Sequence, residues 1–120
     1  MPSGLIVREP YASMIVDGEK KWEIRTRKTK KRGEIYIITN GEIIGKAALV
    51  DVKGPFNPEE LERFYHLHKV DPETLRQYGK GKKLYAWVFE RPKRLKKPIK
   101  IEIPKGAIIW VNITKEFFKI

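Results

Sequence analysis

Three ionisable residues at short spacing, Lys20, Glu23 and Arg25, could do chemistry together. Two cationic side chains and a carboxylate can fix an anionic or amide-bearing ligand through charge-assisted hydrogen bonds. Strand-like alternation places Glu23 and Arg25 on one face, and Lys20 with Trp22 on the other. The alternative is a solvated face on which the charges balance one another.

Few other residues could support catalysis or metal binding. Lys20 is a candidate base if it is buried and held by Glu23, and Ser13 is the one candidate hydroxyl. His66 and His68 lie two residues apart, so they diverge on a helix and cannot form the i, i+4 pair that binds a metal. We expect both histidines to be partly exposed at a helix end. The sequence therefore predicts no metal site and no cofactor.

Local signals mark the turns and caps of the elements that must position these residues. Gly18 is expected to end a helix, because glycine accepts the left-handed conformation of a C-terminal turn. Asn40-Gly41 is a strong hairpin signal, and Gly45 inside a strand suggests a bulge or a close backbone approach. Asp71 is expected to cap a helix that has Pro72 at its first position.

The hydrophobic pattern predicts seven strands and three short helices. Hairpin-like connections dominate and no alternating βαβ pattern is present, which favours an α+β fold. We expect a small, mostly antiparallel β-barrel with short helices at its rim, formed by one domain over residues 1–120. The predicted strands are 5–8, 21–25, 34–39, 43–53, 84–91, 99–103 and 107–113, and the predicted helices are 10–18, 58–68 and 72–79.

Positive charge is in excess and is concentrated in two segments. The chain has 26 Lys and Arg against 15 Asp and Glu, a net charge of +11, which favours a polyanionic partner such as RNA or DNA. Both segments are expected to be loops that contact phosphates on the same side of the molecule as Lys20 and Arg25; the alternative is that they only increase solubility. Their cationic residues are Arg27, Lys28, Lys30, Lys31 and Arg32 in the first, and Lys93, Arg94, Lys96 and Lys97 in the second.

Aromatic residues lie among these charges and could stack on nucleic-acid bases, at about 1–3 kcal/mol per base. We expect Trp22 and Trp110 to belong to the core, since aromatic side chains at alternating strand positions usually do. Tyr11 and Tyr85 are expected in a cleft, because a phenol suits surroundings that are apolar at one end and wet at the other. Trp87 is expected near that cleft.

The remaining composition limits the class of protein. Cysteine is absent, so disulfides and thiolate metal sites are excluded. No apolar stretch has the length of a signal-peptide core or a membrane span, so we expect a cytoplasmic protein without a membrane partner. The high charge content also occurs in thermophilic proteins. We expect a monomer.

The sequence resembles the ASCH domain family. The resemblance rests on Pro10-Tyr11-Ala12-Ser13, on the spacing of Gly18, Lys20, Glu23 and Arg25, on Gly33 before a strand, and on the aromatics of 85–87 and 110. It implies a PUA-like β-barrel; archaeal members are often single-domain proteins of this size. It also implies a cleft for RNA or a modified nucleobase. Tyr11, Ser13, Lys20, Glu23 and Arg25 would line that cleft, with Tyr85 and Trp87 nearby.

The resemblance also bears on catalysis. Some relatives are amidohydrolases acting on N4-acetylcytidine, with a Lys and a Thr of this motif and a downstream Glu. Lys20 matches that Lys, but Glu23 replaces the Thr and no acid lies between Arg63 and Asp71. A nuclease activity of some members has no locatable residues here. We therefore expect a non-enzymatic RNA-binding module. The alternatives are a small hydrolase acting on RNA or a modified nucleoside, and a protein-interaction module of a transcription or translation complex.

Overall fold

One mixed sheet of six strands forms the framework of the protein. In the computed structural model, which describes residues 2–114, the sheet order is β2-β5-β4-β3-β1-β6. The elements are β1 (Ser3–Ile6), α1 (Tyr11–Val16), β2 (Trp22–Arg25), β3 (Gly33–Thr39), β4 (Glu42–Phe56), α2 (Pro58–Leu61), a 3₁₀ helix (Glu62–Phe64), α3 (Tyr65–His68), α4 (Pro72–Gly79), β5 (Leu84–Lys100) and β6 (Trp110–Asn112).

The strand pairing confirms the α+β class but not the closed barrel. β1 pairs with β3 in parallel, and the other pairings among the described residues are antiparallel. β2 and β6 lie at the two edges, and no ladder joins them within residues 2–114. The sheet described here is therefore open. No helix in this part of the chain combines the length and the apolarity that crossing a membrane requires.

The second basic segment is strand rather than loop, which corrects the sequence-based prediction. Residues 84–91, the basic segment and the start of the predicted strand 99–103 together form β5. This stretch contains Pro92 and Pro98, and proline cannot donate to a ladder. Beyond Val88, however, β5 pairs with β4 alone and no longer with β2. Prolines are tolerated along such a one-sided stretch, and register shifts against β4 absorb the irregularity.

Side-chain hydrogen bonds cap the N-termini of α2 and α4. The side chain of Asn57 accepts the backbone N–H of Glu60 at 3.0 Å, and Glu60 accepts the N–H of Asn57 at 2.9 Å. The predicted helix 58–68 divides into α2, the 3₁₀ helix and α3. Asp71 caps α4 as predicted, and its carboxylate accepts the N–H of Thr74 at 3.2 Å. The predicted strand 107–113 is shortened to β6.

Three apolar clusters surround the sheet and fix the position of α1. The first packs α1 against the sheet around Ile15, Ile37 and Trp87. The second, around Trp22 and Leu75, lies beneath α2 and α4 and confirms that Trp22 is a core residue; a third surrounds Ile38 and Val111. The partly buried Tyr11 packs against the first and the second cluster. The start of α1 is therefore held between two cores.

Gly45 permits a close approach between β4, β5 and α1, as its position in a strand predicted. The register of β4 against β5 shifts beside it. A Cβ atom at this position would lie 2.7 Å from Cγ1 of Val16 and still closer to the carbonyl oxygen of Lys93. The backbone oxygen cannot move without disturbing the ladder, so no larger residue fits here.

We expect Gly45→Ala to lower the free energy of unfolding by about 1–3 kcal/mol, the usual cost of overpacking a core. Gly79→Ala is the matched control. Its Cβ would lie 3.3 Å from a terminal methyl carbon of Leu84 rather than against a backbone atom, and alanine favours a helix. Denaturant unfolding of both variants checks the difference, and equal stabilities would contradict the close approach at Gly45.

Candidate functional site

A cavity of about 350 Å³ lies between β2, α4 and the ends of β1 and α1. We call it the first cleft. Its apolar wall is formed by Ile6, Ile24, Val70, Leu75 and Ile108, and its polar lining by Arg8, Tyr11, Glu23, Arg25, Thr74 and Tyr78. Cavities of this size, mostly apolar with a few placed polar groups, are typical of small-molecule sites.

Glu23 and Arg25 form a fixed ion pair in this cleft. Nε and Nη2 of Arg25 lie 2.9 and 2.8 Å from Oε2 of Glu23, and Nη2 also donates to the carbonyl oxygen of Ile6 at 2.9 Å. The two residues share a face of β2, as alternation predicted. Glu23 is only 6% exposed, so the solvated face considered from the sequence is wrong.

Lys20 supports this pair from behind the cleft. Only 1% of the residue is exposed. Its ammonium donates to the carbonyl oxygen of His68, lies 3.6 Å from Oε1 of Glu23 and lies 4.8 Å from the centre of the Tyr11 ring. Strand alternation does not apply to Lys20, because β2 begins at Trp22. Lys20 therefore reaches the same carboxylate as Arg25, contrary to the predicted opposite face.

Burial changes the proton affinity of Lys20. Desolvation lowers the pKa of Lys20 to about 8, although the carboxylate of Glu23 opposes the shift. At neutral pH the amine is thus still mostly protonated. The ammonium donates to the His68 carbonyl and forms an ion pair with the Glu23 carboxylate, so Lys20 acts here as a buried cation that orders its neighbours.

His68 is fully buried, which corrects the expectation of a partly exposed helix-end residue. Its Nδ1 accepts the backbone N–H of Val70 at 2.9 Å, so Nε2 carries the proton and donates to the carbonyl oxygen of Leu61 at 2.7 Å. Burial lowers the pKa of His68 and keeps the ring neutral. These bonds fix the turn after α3, which places Val70 in the first cleft and the His68 carbonyl on Lys20.

A second cavity of about 370 Å³, the second cleft, shares Arg25, Tyr78 and Ile108 with the first. The rest of its lining is Thr26, Arg27, Lys28, Trp87, Ile109 and Trp110. The Trp110 ring stacks on Trp87 with centroids 5.6 Å apart and an interplanar angle of 13°. Trp110 is only partly buried. It packs against the first apolar cluster from the edge strand β6, so the prediction that it is a core residue is confirmed only in part.

The other candidate cleft residues are divided by the fold. Tyr11 lines the first cleft and Trp87 the second. Ser13 lines neither, because its Oγ donates to the Glu9 carboxylate at 2.6 Å on the outer side of α1. Tyr85 also lines neither cavity; its ring lies 5.9 Å from the ammonium of Lys28.

The first basic segment borders the second cleft. Arg27 and Lys28 line it, and the ammonium of Lys31 lies 5.1 Å from the centre of the Trp110 ring. Lys30 is exposed. Nη1 of Arg32 donates to the carbonyl oxygens of Thr29 and Lys31 at 2.9 and 2.7 Å, which orders the segment.

The second basic segment lies toward the other end of β5. Arg94 is opposite Gly45 and forms an ion pair with Asp17, with a shortest N–O distance of 2.8 Å. Arg25 instead pairs with Tyr85. From Tyr85 to Lys93 the strand advances eight residues, or roughly 26 Å at full extension. Lys93, Arg94, Lys96 and Lys97 are all exposed, but they do not flank the cleft beside Arg27 and Lys28.

Several lining residues were missed by sequence reasoning. Thr74 and Tyr78 lie four residues apart on a predicted helix, so their shared face could have been noticed. Arg8 and Ile108 carried no comparable signal, because they reach the cleft from loops. Within residues 2–114, no cluster of three or more His, Asp or Glu side chains could hold a metal ion.

The family model of the ASCH domain matches residues 5–105, which is most of the chain. The chain belongs to the ASCH domain family. This agrees with the motif around Lys20, Glu23 and Arg25. No curated protein matches this ASCH domain.

Solved structures show the same fold. The ASCH protein from Zymomonas mobilis superimposes with a TM-score of 0.79 at 20% sequence identity, covering 98% of this chain and 90% of that chain. A tyrosine-to-phenylalanine variant of it gives 0.78 at 20% identity, with 98% and 93% covered. A serine-to-alanine variant gives 0.77 at 20% identity, with 98% and 91% covered. At this identity the similarity shows the fold alone.

The lowered pKa of Lys20 gives the ASCH domain a specific pH dependence. Between pH 8 and pH 10.4 the unfolded chain holds a proton on Lys20 that the folded state has released, so stability rises with pH. Between pH 8 and pH 10 we expect the free energy of unfolding of wild type to rise, relative to that of Lys20→Met, by on the order of 2 kcal/mol. Burial raises the pKa of Tyr11, which moves the ionisation of its phenol to higher pH.

Urea unfolding of both proteins across this pH range measures the effect. Subtracting the free energy of unfolding of Lys20→Met from that of wild type removes the contribution of the other lysines and tyrosines, because these titrate in both proteins. Parallel pH profiles would show that Lys20 is not desolvated in the folded protein.

Proposed function

We propose that this ASCH domain binds RNA and takes one nucleotide or modified base into the first cleft. The observation that carries the proposal is the Glu23–Arg25 pair, held almost without solvent in a largely apolar cavity. A nucleobase has apolar faces and a polar edge. The apolar walls can pack on the faces, while the carboxylate and the guanidinium can bond to the edge.

Charge supports RNA as the class of partner. The net charge of +11 is far more than one small anion requires, and Arg27, Lys28 and Lys31 stand beside the clefts. Exposed cations that follow a strand of phosphates give binding that does not depend on sequence. We also propose that the sheet has the arrangement of a PUA-like fold, as the family resemblance implies.

The hydrolase alternative has weaker support. A lysine with a pKa near 8 has the property of a general base. Its side chain, however, has no exposed surface, and its ammonium is already bonded to the His68 carbonyl. A ligand in the first cleft meets Glu23 and Arg25, not Lys20. The proposal therefore assigns Lys20 the role of a positioning residue and assigns no catalysis.

Arg25 provides the direct test of the cleft. We expect Arg25→Ala to weaken the binding of ribonucleoside 5′-monophosphates about tenfold or more, because a charge-assisted hydrogen bond is lost. Arg25→Lys keeps the charge but not the planar fork, and should fall between Arg25→Ala and wild type. Arg76→Ala, an exposed arginine of α4 outside both clefts, is the matched control. Titration calorimetry measures the affinities, and undiminished binding by a folded Arg25→Ala protein would contradict the proposed site.

Salt dependence tests the phosphate contacts. For a single-stranded RNA, removing Lys28 and Lys31 together should reduce the slope of log affinity against log salt by about 1.4, or 0.7 per phosphate contact. The Lys93→Ala, Lys97→Ala pair is the matched control on β5. An equal reduction in the control would mean that RNA follows both basic segments, as the sequence predicted. An unchanged slope in both would leave these lysines a solubilising role and favour a protein partner instead.

A further inference from the structure

The second cleft is a feature that the proposed function does not use. It has nearly the same volume as the first cleft, about 370 Å³, and the two share Arg25, Tyr78 and Ile108 in their linings. The two cavities are therefore neighbours with a common wall. A ligand that extends beyond the first cleft past these shared residues reaches the second.

Trp110 forms an aromatic platform in the second cleft. One face of its ring is covered by Trp87, at 5.6 Å and 13°. Trp87 is itself fixed, because it is only 2% exposed and its indole N–H donates to the carbonyl oxygen of Arg27 at 2.9 Å. A rigid, partly exposed ring suits base stacking, which contributes roughly 5- to 150-fold in affinity per base.

Lys31 occupies the platform in the absence of a base. Its ammonium lies 5.1 Å from the centre of the Trp110 ring, and the residue is exposed. A cation–π contact at such a site contributes only about 2- to 5-fold. A stacking base can therefore displace the ammonium, which then remains close enough to contact the phosphate of that nucleotide.

Arg25 lies where the two clefts meet, and one nitrogen of its guanidinium is still available to donate hydrogen bonds. Its bonds to Glu23 and to the Ile6 carbonyl use Nε and Nη2. Nη1 has no hydrogen-bond partner among the described residues. A phosphate that links a nucleotide in one cleft to a nucleotide in the other would pass this nitrogen, and Arg27 and Lys28 add positive charge on the same side.

We infer that the second cleft is a subsite for the nucleotide next in the strand to the one bound in the first cleft. The base stacks on Trp110, and the linking phosphate contacts Arg25. The smallest complete ligand is then a dinucleotide of single-stranded RNA. This inference rests on the proposed function, because it takes the first cleft as a nucleotide site.

The test compares mononucleotides with dinucleotides on wild type, Trp110→Leu and Trp110→Phe. The probes are the four ribonucleoside 5′-monophosphates and the corresponding 2′-O-methyl homodinucleotides, which resist cleavage. In wild type we expect the best dinucleotide to bind at least tenfold more tightly than its mononucleotide. Trp110→Leu should remove most of this gain and leave mononucleotide affinity within about twofold, because Trp110 does not line the first cleft. Trp110→Phe should restore part of the gain.

The outcomes separate the two hypotheses. If mononucleotides bind but dinucleotides bind no more tightly, the second subsite is refuted and the first cleft stands. If the dinucleotide gain survives in Trp110→Leu, stacking on Trp110 is refuted as its cause. If neither probe binds wild type, the proposed function itself fails. Retained mononucleotide binding also shows that Trp110→Leu is folded.

Discussion

The carboxylate of Glu23, held between Lys20 and Arg25, is the interaction on which the geometry of both clefts depends. All three side chains are buried or nearly so. Removing one partner from such a buried pair typically costs about 3–5 kcal/mol, because the remaining charge is left uncompensated. The backbone around these three side chains must therefore keep them together. This holds whether or not the group as a whole adds to the stability of the fold.

The same three residues connect separate parts of the chain. Arg25 reaches the carbonyl of Ile6 at the end of β1, and Lys20 reaches the carbonyl of His68 at the end of α3. His68 in turn holds the turn that carries Val70. Apolar packing brings β1, α3 and β2 together, but it is non-directional. The hydrogen bonds of the charged network fix how the walls of the first cleft face one another.

Part of the positive charge and two stacked aromatic rings are arranged around Arg25. Its guanidinium lies 5.6 Å from the Trp87 ring, on which the Trp110 ring stacks. The first basic segment borders the second cleft, while the second lies on β5, where Arg94 pairs with Asp17. One region thus combines an apolar cavity, a fixed ion pair, a stacking surface and exposed cations. Recognition of single-stranded nucleic acid commonly draws on these components.

The sequence alone determined features that depend on neighbours in the chain. The hairpin at Asn40-Gly41, the cap at Asp71 and the close approach at Gly45 are confirmed, because positive φ, a capping oxygen and a missing Cβ are local requirements. The family and the α+β class also followed from motif and pattern.

Only the tertiary structure decided which distant residues meet. Lys20 and His68 are 48 positions apart, and nothing local indicates that one buries its charge on the carbonyl of the other. The basic segment of β5 became strand because Lys93 and Arg94 pair with β4 and the ladder resumes at Ile99 after a register shift. Trp110 is only partly buried against the core, because its strand lies at an edge of the sheet, and its ring stacks on Trp87. Pairing and burial of this kind depend on the whole topology, and local propensity yields to them.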